Sequence, residues 1–147
     1  LKRVRFVRIS VNSLKTILQF KLGEKRMLRG IRGAITVSAN RKEEIERQTE
    51  RLMREIIEQN ELDSESIASV FISVTDDLNA GFPAASIRRI DGFMYVPVMC
   101  MCEIPVPESL PLAIRIMVHV NTDKSQREIK HIYLEEAIKL RPDLLEK

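Results

Sequence analysis

Two apolar segments that resemble β-strands each contain one charged residue, and this pattern constrains the fold more than any other in the chain. The first segment, Val96–Cys102, is closed by Glu103, and the second, Ala113–Val118, has Arg115 at its centre. A buried charge without a partner costs several kcal/mol. The two residues are therefore expected to be paired, to face water on an edge strand, or to be kept for a ligand.

The composition is that of one globular domain. The chain has 147 residues, of which 44% are hydrophobic and 31% charged, and this length is enough to bury a sizeable core. No apolar run approaches the roughly 20 residues that a membrane-spanning helix needs. Cys100 and Cys102 lie two apart on a predicted strand and point the same way, which argues against a disulfide between them. Reduced cysteines favour a cytoplasmic location.

Residues 1–26 differ in charge from the rest of the chain. They contain 8 of the 24 Lys and Arg residues and one acid, Glu24, whereas residues 27–147 have 16 basic and 20 acidic residues. They lack the uninterrupted apolar core of a secretory signal. We interpret them as a basic extension that is non-native or disordered, and we expect the domain to span residues 27–147, with a mobile C-terminal tail. The alternatives are an arm that contacts RNA or a membrane, or an organelle transit segment.

The hydrophobic pattern predicts an α/β (α+β) domain with a mixed sheet, one long helix and one short helix. The predicted strands are Leu28–Val37, Ile67–Val74, a strand that starts at Tyr95 and ends before Glu103, Ala113–Val118 and Ile129–Leu134. So little helix would leave apolar area of the sheet uncovered. We therefore expect a homo-oligomer.

The long helix is predicted to begin at a cap formed by Ser38 or Asn40 and to end near Asn60. An apolar stripe at helical spacing should face the core. Glu44 is expected to lie with the other charged residues on the solvent-exposed side.

Other local patterns give further expectations. Ile67–Val74 is a continuous apolar run, typical of a strand buried on both faces. The short helix should cover residues 84–90. In the first strand, Gly33 indicates a close approach of another element. Arg29 and Arg32 are three residues apart and should face opposite sides of that strand, so that one of them points inward or into a cleft.

Arginine recurs in apolar or glycine-flanked settings, at Arg32, Arg88, Arg115 and Arg141. The guanidinium group is a rigid fork of donors that suits carboxylate or phosphate. Several arginines together with Glu103 suggest a small dianionic ligand that carries a hydroxyl. The sequence has no Ser/His/Asp set, nucleophile elbow or dinucleotide fingerprint.

Residues that could bind a metal ion do not form a recognisable site. Cys100 and Cys102 are locally spaced, but His119 and His131 have no such spacing to them. The acidic pair Asp76–Asp77 lies in a predicted loop, where such residues more often cap or form turns. We expect no metal.

Several short motifs resemble, in order and spacing, those of a known enzyme family. They are Met27–Ala34 (MLRGIRGA), Phe82–Ala84 (FPA), Tyr95–Val98 (YVPV) through Glu103, Ile114–Arg115, Asn121–Asp123, His131–Leu134 (HIYL) and Leu140–Leu144 (LRPDL). The chain from Met27 to Leu144 resembles the small monofunctional chorismate mutases that form a trimeric pseudo-α/β barrel. The resemblance implies the conversion of chorismate to prephenate, a Claisen rearrangement without a cofactor, in a homotrimer whose sites lie between subunits.

The resemblance also implies roles for individual residues. Arg115 would reach the ether oxygen and a carboxylate, Arg32 would bind a carboxylate, and Glu103 would accept the ring hydroxyl. Tyr133 would contact the side-chain carboxylate. The other implied substrate contacts are Cys100 beside the ring, and Phe82, Ala84, Arg88, Leu140 and Arg141 from the segments that close the pocket.

Two departures and two rival functions accompany this interpretation. Ala85 stands where some family members have Lys, and Met99 stands where some have a small polar residue. A binding or imine-hydrolysing trimer of the same general fold is the alternative function, and Glu103 with Arg115 argues against it. An RNA-binding role through residues 1–26 would be a separate function. We expect chorismate and prephenate as ligands, and neither nucleic acid nor membrane as a partner.

Overall fold

The computed structural model describes residues 26–144 as a mixed five-stranded sheet with one long helix packed on one face. The strands are β1 (Met27–Thr36), β2 (Ile67–Val74), β3 (Val98–Cys102), β4 (Ala113–Thr122) and β5 (Ile132–Tyr133), and the α-helices are α1 (Lys42–Asn60) and α2 (Ala84–Ile87). The strand order is β3-β2-β4-β1-β5. β4 pairs antiparallel with β1 and β2, whereas β1–β5 and β2–β3 are parallel. The predicted mixed α+β sheet is confirmed.

Helix α1 covers the sheet with the apolar stripe that its sequence predicts. Ile45, Leu52, Met53 and Ile56 are fully buried against the inner residues of the strands. Gly33 permits this contact, because a Cβ at that position would lie 2.6 Å from Ile56 Cδ1. The close approach expected at this glycine is therefore present.

The start of α1 differs from the prediction. The N-cap residue is Arg41, whose side chain makes no capping bond. The backbone N–H and the hydroxyl of Ser38 instead donate to Glu44 Oε1, at 2.7 and 2.6 Å. Asn40 accepts hydrogen bonds from the backbone N–H groups of residues 79 and 80. Ser38 and Asn40 therefore do not cap α1. They connect the loop before the helix to Glu44 and to the loop at residues 79 and 80.

The sequence pattern predicts that Glu44 faces solvent, and this prediction is wrong. Its side chain is only 6% exposed. The Ser38 hydroxyl and N–H, followed by Arg41, lower the pKa of this carboxyl to about 2. Hydrogen bonds to the charged form offset the cost of burying it.

The predicted strand β2 has the correct bounds but only one buried face. Val70, Ile72 and Val74 are buried, whereas Phe71 and Ser73, which point the other way, are partly exposed. The expectation of burial on both faces is therefore wrong for the single chain.

Strand β3 begins later than predicted. Tyr95 lies in a turn with 90% of its side chain exposed, and Val96 donates to the Phe93 carbonyl. Pro97 has no N–H to give to a ladder. Its carbonyl accepts the first bond from Val70, at 2.8 Å, and the strand starts at the next residue.

The other bounds differ for local reasons. Helix α2 ends at Ile87. The residues after it form single turns, in which the N–H groups of Arg89 and Ile90 each donate to the carbonyl three residues before them. Strand β4 continues to Thr122 because β1 pairs with it along its whole length. The last strand is only two residues long, since the side chain of Asn60 takes both the N–H and the carbonyl of Lys130, each at 2.9 Å.

Large apolar side chains lie exposed around β3 and the loops that precede and follow it. Phe82 is 79% exposed, and Tyr95, Met94, Met99 and Ile104 are also exposed. No helix between residues 26 and 144 is long and apolar enough to cross a membrane. Residues 1–25 of the basic segment lie outside the described residues, and so do the roles that the sequence suggests for them.

Candidate active site

One row across the sheet brings the unusual polar residues together. In register, Ser73 of β2 lies opposite Arg115 of β4, Arg115 lies opposite Ala34 of β1, and Ala34 lies opposite Tyr133 of β5. Glu103 directly follows β3, and its N–H donates to the Val74 carbonyl of β2 at 2.8 Å. Met101 of β3 lies opposite Ser73, so the row spans all five strands, with Glu103 just beyond the end of β3.

Glu103 and Arg115 form an ion pair in this row. Arg115 Nη1 donates to Glu103 Oε2 at 3.0 Å, and the side chains are 33% and 20% exposed, respectively. The hydroxyl of Ser73 donates a hydrogen bond to the other oxygen of Glu103. β4 is the central strand of the sheet, so Arg115 is not a solvent-facing residue on an edge strand.

The row forms the floor of a cleft of about 280 Å³. Arg32, one rung further along β1, adds a second guanidinium, and Leu140 of the C-terminal segment forms part of the wall. Arg29, which faces the other way, instead donates to the carbonyl of Lys124 at 3.1 Å. Two cations and one carboxylate leave the cleft with a net positive charge, which suits an anionic ligand.

Two buried polar atoms of the cleft have no hydrogen-bond partner among the described residues. They are Nε of Arg115 and the hydroxyl of Tyr133. Arg141 lies near enough to Tyr133 to interact with it electrostatically, but no hydrogen bond of acceptable geometry joins them. Unpaired buried polar groups are rare and costly. Both atoms belong to residues that line the same cleft.

His131 lies outside the cleft and joins β1 to the start of β5. Its Nδ1 accepts the backbone N–H of Arg32 at 3.0 Å, immediately before the two residues of β5. Its pKa is lowered by burial, and further by the charges of Arg32 and Arg141. A neutral ring keeps Nδ1 available as an acceptor. His119, by contrast, shares a hydrogen bond with Ser69 and packs edge-on against Phe71.

Not every predicted site residue lies in this cleft of the single chain. Phe82 and Arg88 are exposed elsewhere, and the side chain of Ala84 is buried in the core. Cys100 packs against the core on the helix side of β3, so that Met101, not Cys100, faces the cleft. Arg141 makes two bonds to Asp143, at 2.8 and 2.7 Å, which raise its pKa.

The residues that the sequence offers as metal ligands do not lie together in the described part of the chain. Among residues 26–144, no group of three or more His, Cys, Asp or Glu side chains is placed to share a metal ion. Asp77 accepts hydrogen bonds from the Thr75 hydroxyl at 2.5 Å and from the Leu112 N–H at 2.9 Å. The acidic pair therefore includes a turn-forming residue.

Sequence reasoning missed Ser73 and Ala34 as parts of the site. Alternation along β2 could have placed Ser73 on the outer face. Its position beside Arg115 depends on the register between β2 and β4, which no local pattern reveals.

The fold and the cleft together define a class of protein: an α+β domain with a positively charged cleft that contains two arginines. Comparison with known proteins makes this specific. The family model for chorismate mutase type I matches residues 28–144. The chain is 47% identical over 118 residues to chorismate mutase AroH of Bacillus subtilis, which covers 80% of this chain and 93% of the relative.

Two further relatives agree. Chorismate mutase AroH of Thermus thermophilus is 46% identical over 119 residues, which is 80% of this chain and 97% of that protein. A solved structure of chorismate mutase from Clostridium thermocellum superposes with a TM-score of 0.72 and 48% identity, over 74% of this chain and 96% of that one. The chain belongs to the type I chorismate mutase family.

Proposed function

We propose that the cleft around Arg115 converts chorismate to prephenate, the isomerase reaction of the chorismate mutase family, in the biosynthesis of phenylalanine and tyrosine. The reaction is a Claisen rearrangement within one molecule. It needs no covalent intermediate and no proton transfer, so catalysis rests on binding the transition state better than the substrate.

The unpaired Nε of Arg115 is the observation that carries this proposal. As the ether C–O bond breaks ahead of C–C formation, negative charge gathers on the ether oxygen. A donor already in place costs no reorganisation when that charge develops, and it acts most strongly where water is largely excluded. Nη1 of Arg115 is occupied by Glu103, which leaves Nε as the donor that a ligand would satisfy.

The remaining cleft residues bind and orient the substrate. Arg32 and the hydroxyl of Tyr133 take the two carboxylates, and Glu103 accepts the ring hydroxyl. Glu103 already accepts two hydrogen bonds, but a carboxylate has about four lone-pair sites and retains capacity for a third. Holding both ends of the substrate favours the folded conformer in which the reacting carbons meet.

We infer that the site is completed by a neighbouring subunit of a homotrimer, in the cytoplasm. Phe82 and Arg88 do not reach the cleft of their own chain, and exposed apolar side chains surround this region. Large exposed apolar areas mark protein interfaces. In the trimer, the segment from Phe82 to Arg88 and the edge strand β3 would close the cleft of the next subunit, which would also bring the Cys100 region to it.

The function is tested by following the loss of chorismate absorbance with purified protein in EDTA and without added cofactor, and by identifying prephenate as the product. Saturable turnover is expected. No turnover under these conditions would contradict the proposed function.

The shared site is tested by subunit complementation. Arg115→Ala and Arg88→Ala chains, each weak alone, are coexpressed so that trimers mix. If one subunit supplies Arg115 and its neighbour supplies Arg88, random assembly restores about one quarter of the sites. Activity no greater than the sum of the two separate variants would show that both residues serve the same chain's cleft.

A further inference from the structure

Both oxygens of the Glu103 carboxylate are held by side chains of neighbouring strands. Oε2 accepts from Arg115 Nη1 at 3.0 Å, and Oε1 accepts a hydrogen bond from the Ser73 hydroxyl. Ser73 lies directly opposite Arg115 in the β2–β4 register. The serine is therefore next to both members of the ion pair, on the floor of the cleft.

We infer that Ser73 is a positioning residue that sets the orientation of Glu103 and, through it, of Arg115; this inference rests on the proposed function of the cleft. A glutamate has three rotatable bonds, and Glu103 comes from the end of β3, where the ladder stops. Arg115 by itself leaves Oε1 free, so the carboxylate could turn and swing the guanidinium with it.

The orientation of Glu103 in turn fixes the orientation of the Arg115 guanidinium. With Oε1 held by Ser73, the bond from Nη1 to Oε2 fixes the direction of the guanidinium plane and, with it, the position of the unpaired Nε. A serine hydroxyl has one donor hydrogen, and Ser73 uses it on Glu103. Ser73 therefore acts through Glu103 rather than by donating to the ligand.

Ser69 provides a matched control within the same strand. It is four residues before Ser73, points to the same face and lies opposite β4 in the same way. Its hydroxyl, however, pairs with His119 Nδ1 at 2.9 Å and does not line the cleft. Loss of either hydroxyl removes one side-chain hydrogen bond from β2, but only the loss at Ser73 frees a carboxylate oxygen of the site.

The test measures kcat/KM for chorismate in Ser73→Ala and Ser69→Ala proteins whose folding is checked by circular dichroism. Ser73→Ala should lower kcat/KM about tenfold or more, the scale of one hydrogen bond to a charged group. Ser69→Ala should stay within about twofold of the wild type. A near-normal Ser73→Ala enzyme would overturn the inference, provided that the wild type is active.

Two further arms separate positioning from structural support. Ser73→Thr keeps the hydroxyl and should retain most activity. Ser73→Val, whose side chain has the shape of threonine without the hydroxyl, should be as weak as Ser73→Ala. The Thr and Val variants therefore remain informative if Ser73→Ala folds poorly. In a Glu103→Ala background, Ser73→Ala should have almost no further effect. An equal loss in both backgrounds would overturn the inference. An inactive wild type would instead overturn the proposed function, and the inference with it.

Discussion

Replacement of Arg115 by alanine is the perturbation that the structure predicts most fully. Arg115 is partly buried, its Nη1 is used by Glu103 and its Nε has no partner among residues 26–144. Removing one preorganised donor from a developing oxyanion costs about 10²–10³-fold in kcat, or about 2.7–4 kcal/mol of transition-state stabilisation. We expect Arg115→Ala to lose at least roughly 10²-fold in kcat.

The cost to folding should be much smaller. The Glu103–Arg115 pair remains partly open to solvent, and exposed or partly exposed ion pairs contribute about 0–1 kcal/mol. Glu103 also keeps its bond from Ser73 when Arg115 is lost. The variant should therefore stay folded, and its oligomeric state should match that of the wild type.

The assay is the initial rate of chorismate loss, fitted for kcat and KM separately, with Tm measured on the same samples. Arg89→Ala is the matched control, because Arg89 also pairs with a glutamate, Glu46, at 2.9 Å but lies away from the cleft. It should leave kcat unchanged. A folded Arg115→Ala protein with a kcat near that of the wild type would refute the electrostatic role of Arg115.

Three further predictions concern the tail, the pH dependence and the packing. Ending the chain after Leu140 should raise KM more than it lowers kcat, because the tail would close the cleft rather than take part in the reaction; an equal loss in kcat would contradict this. Glu44→Gln should lower Tm at neutral pH, and the difference from the wild type should shrink as the pH falls from 4.5 towards about 2, because a lowered pKa gives stability that is present above 4.5 and lost on protonation. Parallel Tm curves over that range would count against it. Gly33→Ala should lower the free energy of unfolding in urea by about 1–3 kcal/mol, since its Cβ would collide with Ile56 in α1. Gly30→Ala, whose Cβ would meet only a flexible methionine end at 3.2 Å, is the control and should cost less.

Local periodicity predicted those parts of the fold that depend on single elements. The alternation in β4 correctly places Arg115 on the face opposite to Ile114 and Ile116. The spacing of Arg29 and Arg32 correctly places only Arg32 towards the cleft. These outcomes follow from the two-residue period of a strand, which can be read directly from the local sequence.

Features that depend on contacts between distant segments could not be predicted in this way. The pairing of Ser73 with Glu103 needs the register of two strand pairs, and the burial of Glu44 needs the loop at Ser38 to fold back onto α1. The shortness of β5 results from Asn60, 70 residues away from Lys130. In each case, the deciding hydrogen bond comes from a residue that is distant in the sequence or lies in another element, so local periodicity does not reveal it.

The position of Cys100 illustrates the same limit. The family resemblance implies that it lines the substrate ring, yet alternation along β3 turns it towards the core of its own chain. Glu103, three residues later, faces the cleft. A contact between Cys100 and a substrate would require a neighbouring subunit, and no pattern within one chain encodes the position of that subunit.

A crystal structure of the protein with bound prephenate tests the central claim most directly. We predict prephenate in the cleft over the Ser73–Arg115–Ala34 row, with its carboxylates within hydrogen-bond distance of Arg32 and Tyr133 and with Phe82 of a neighbouring copy against it. Prephenate bound elsewhere, with the Arg115 cleft unused, would contradict the account.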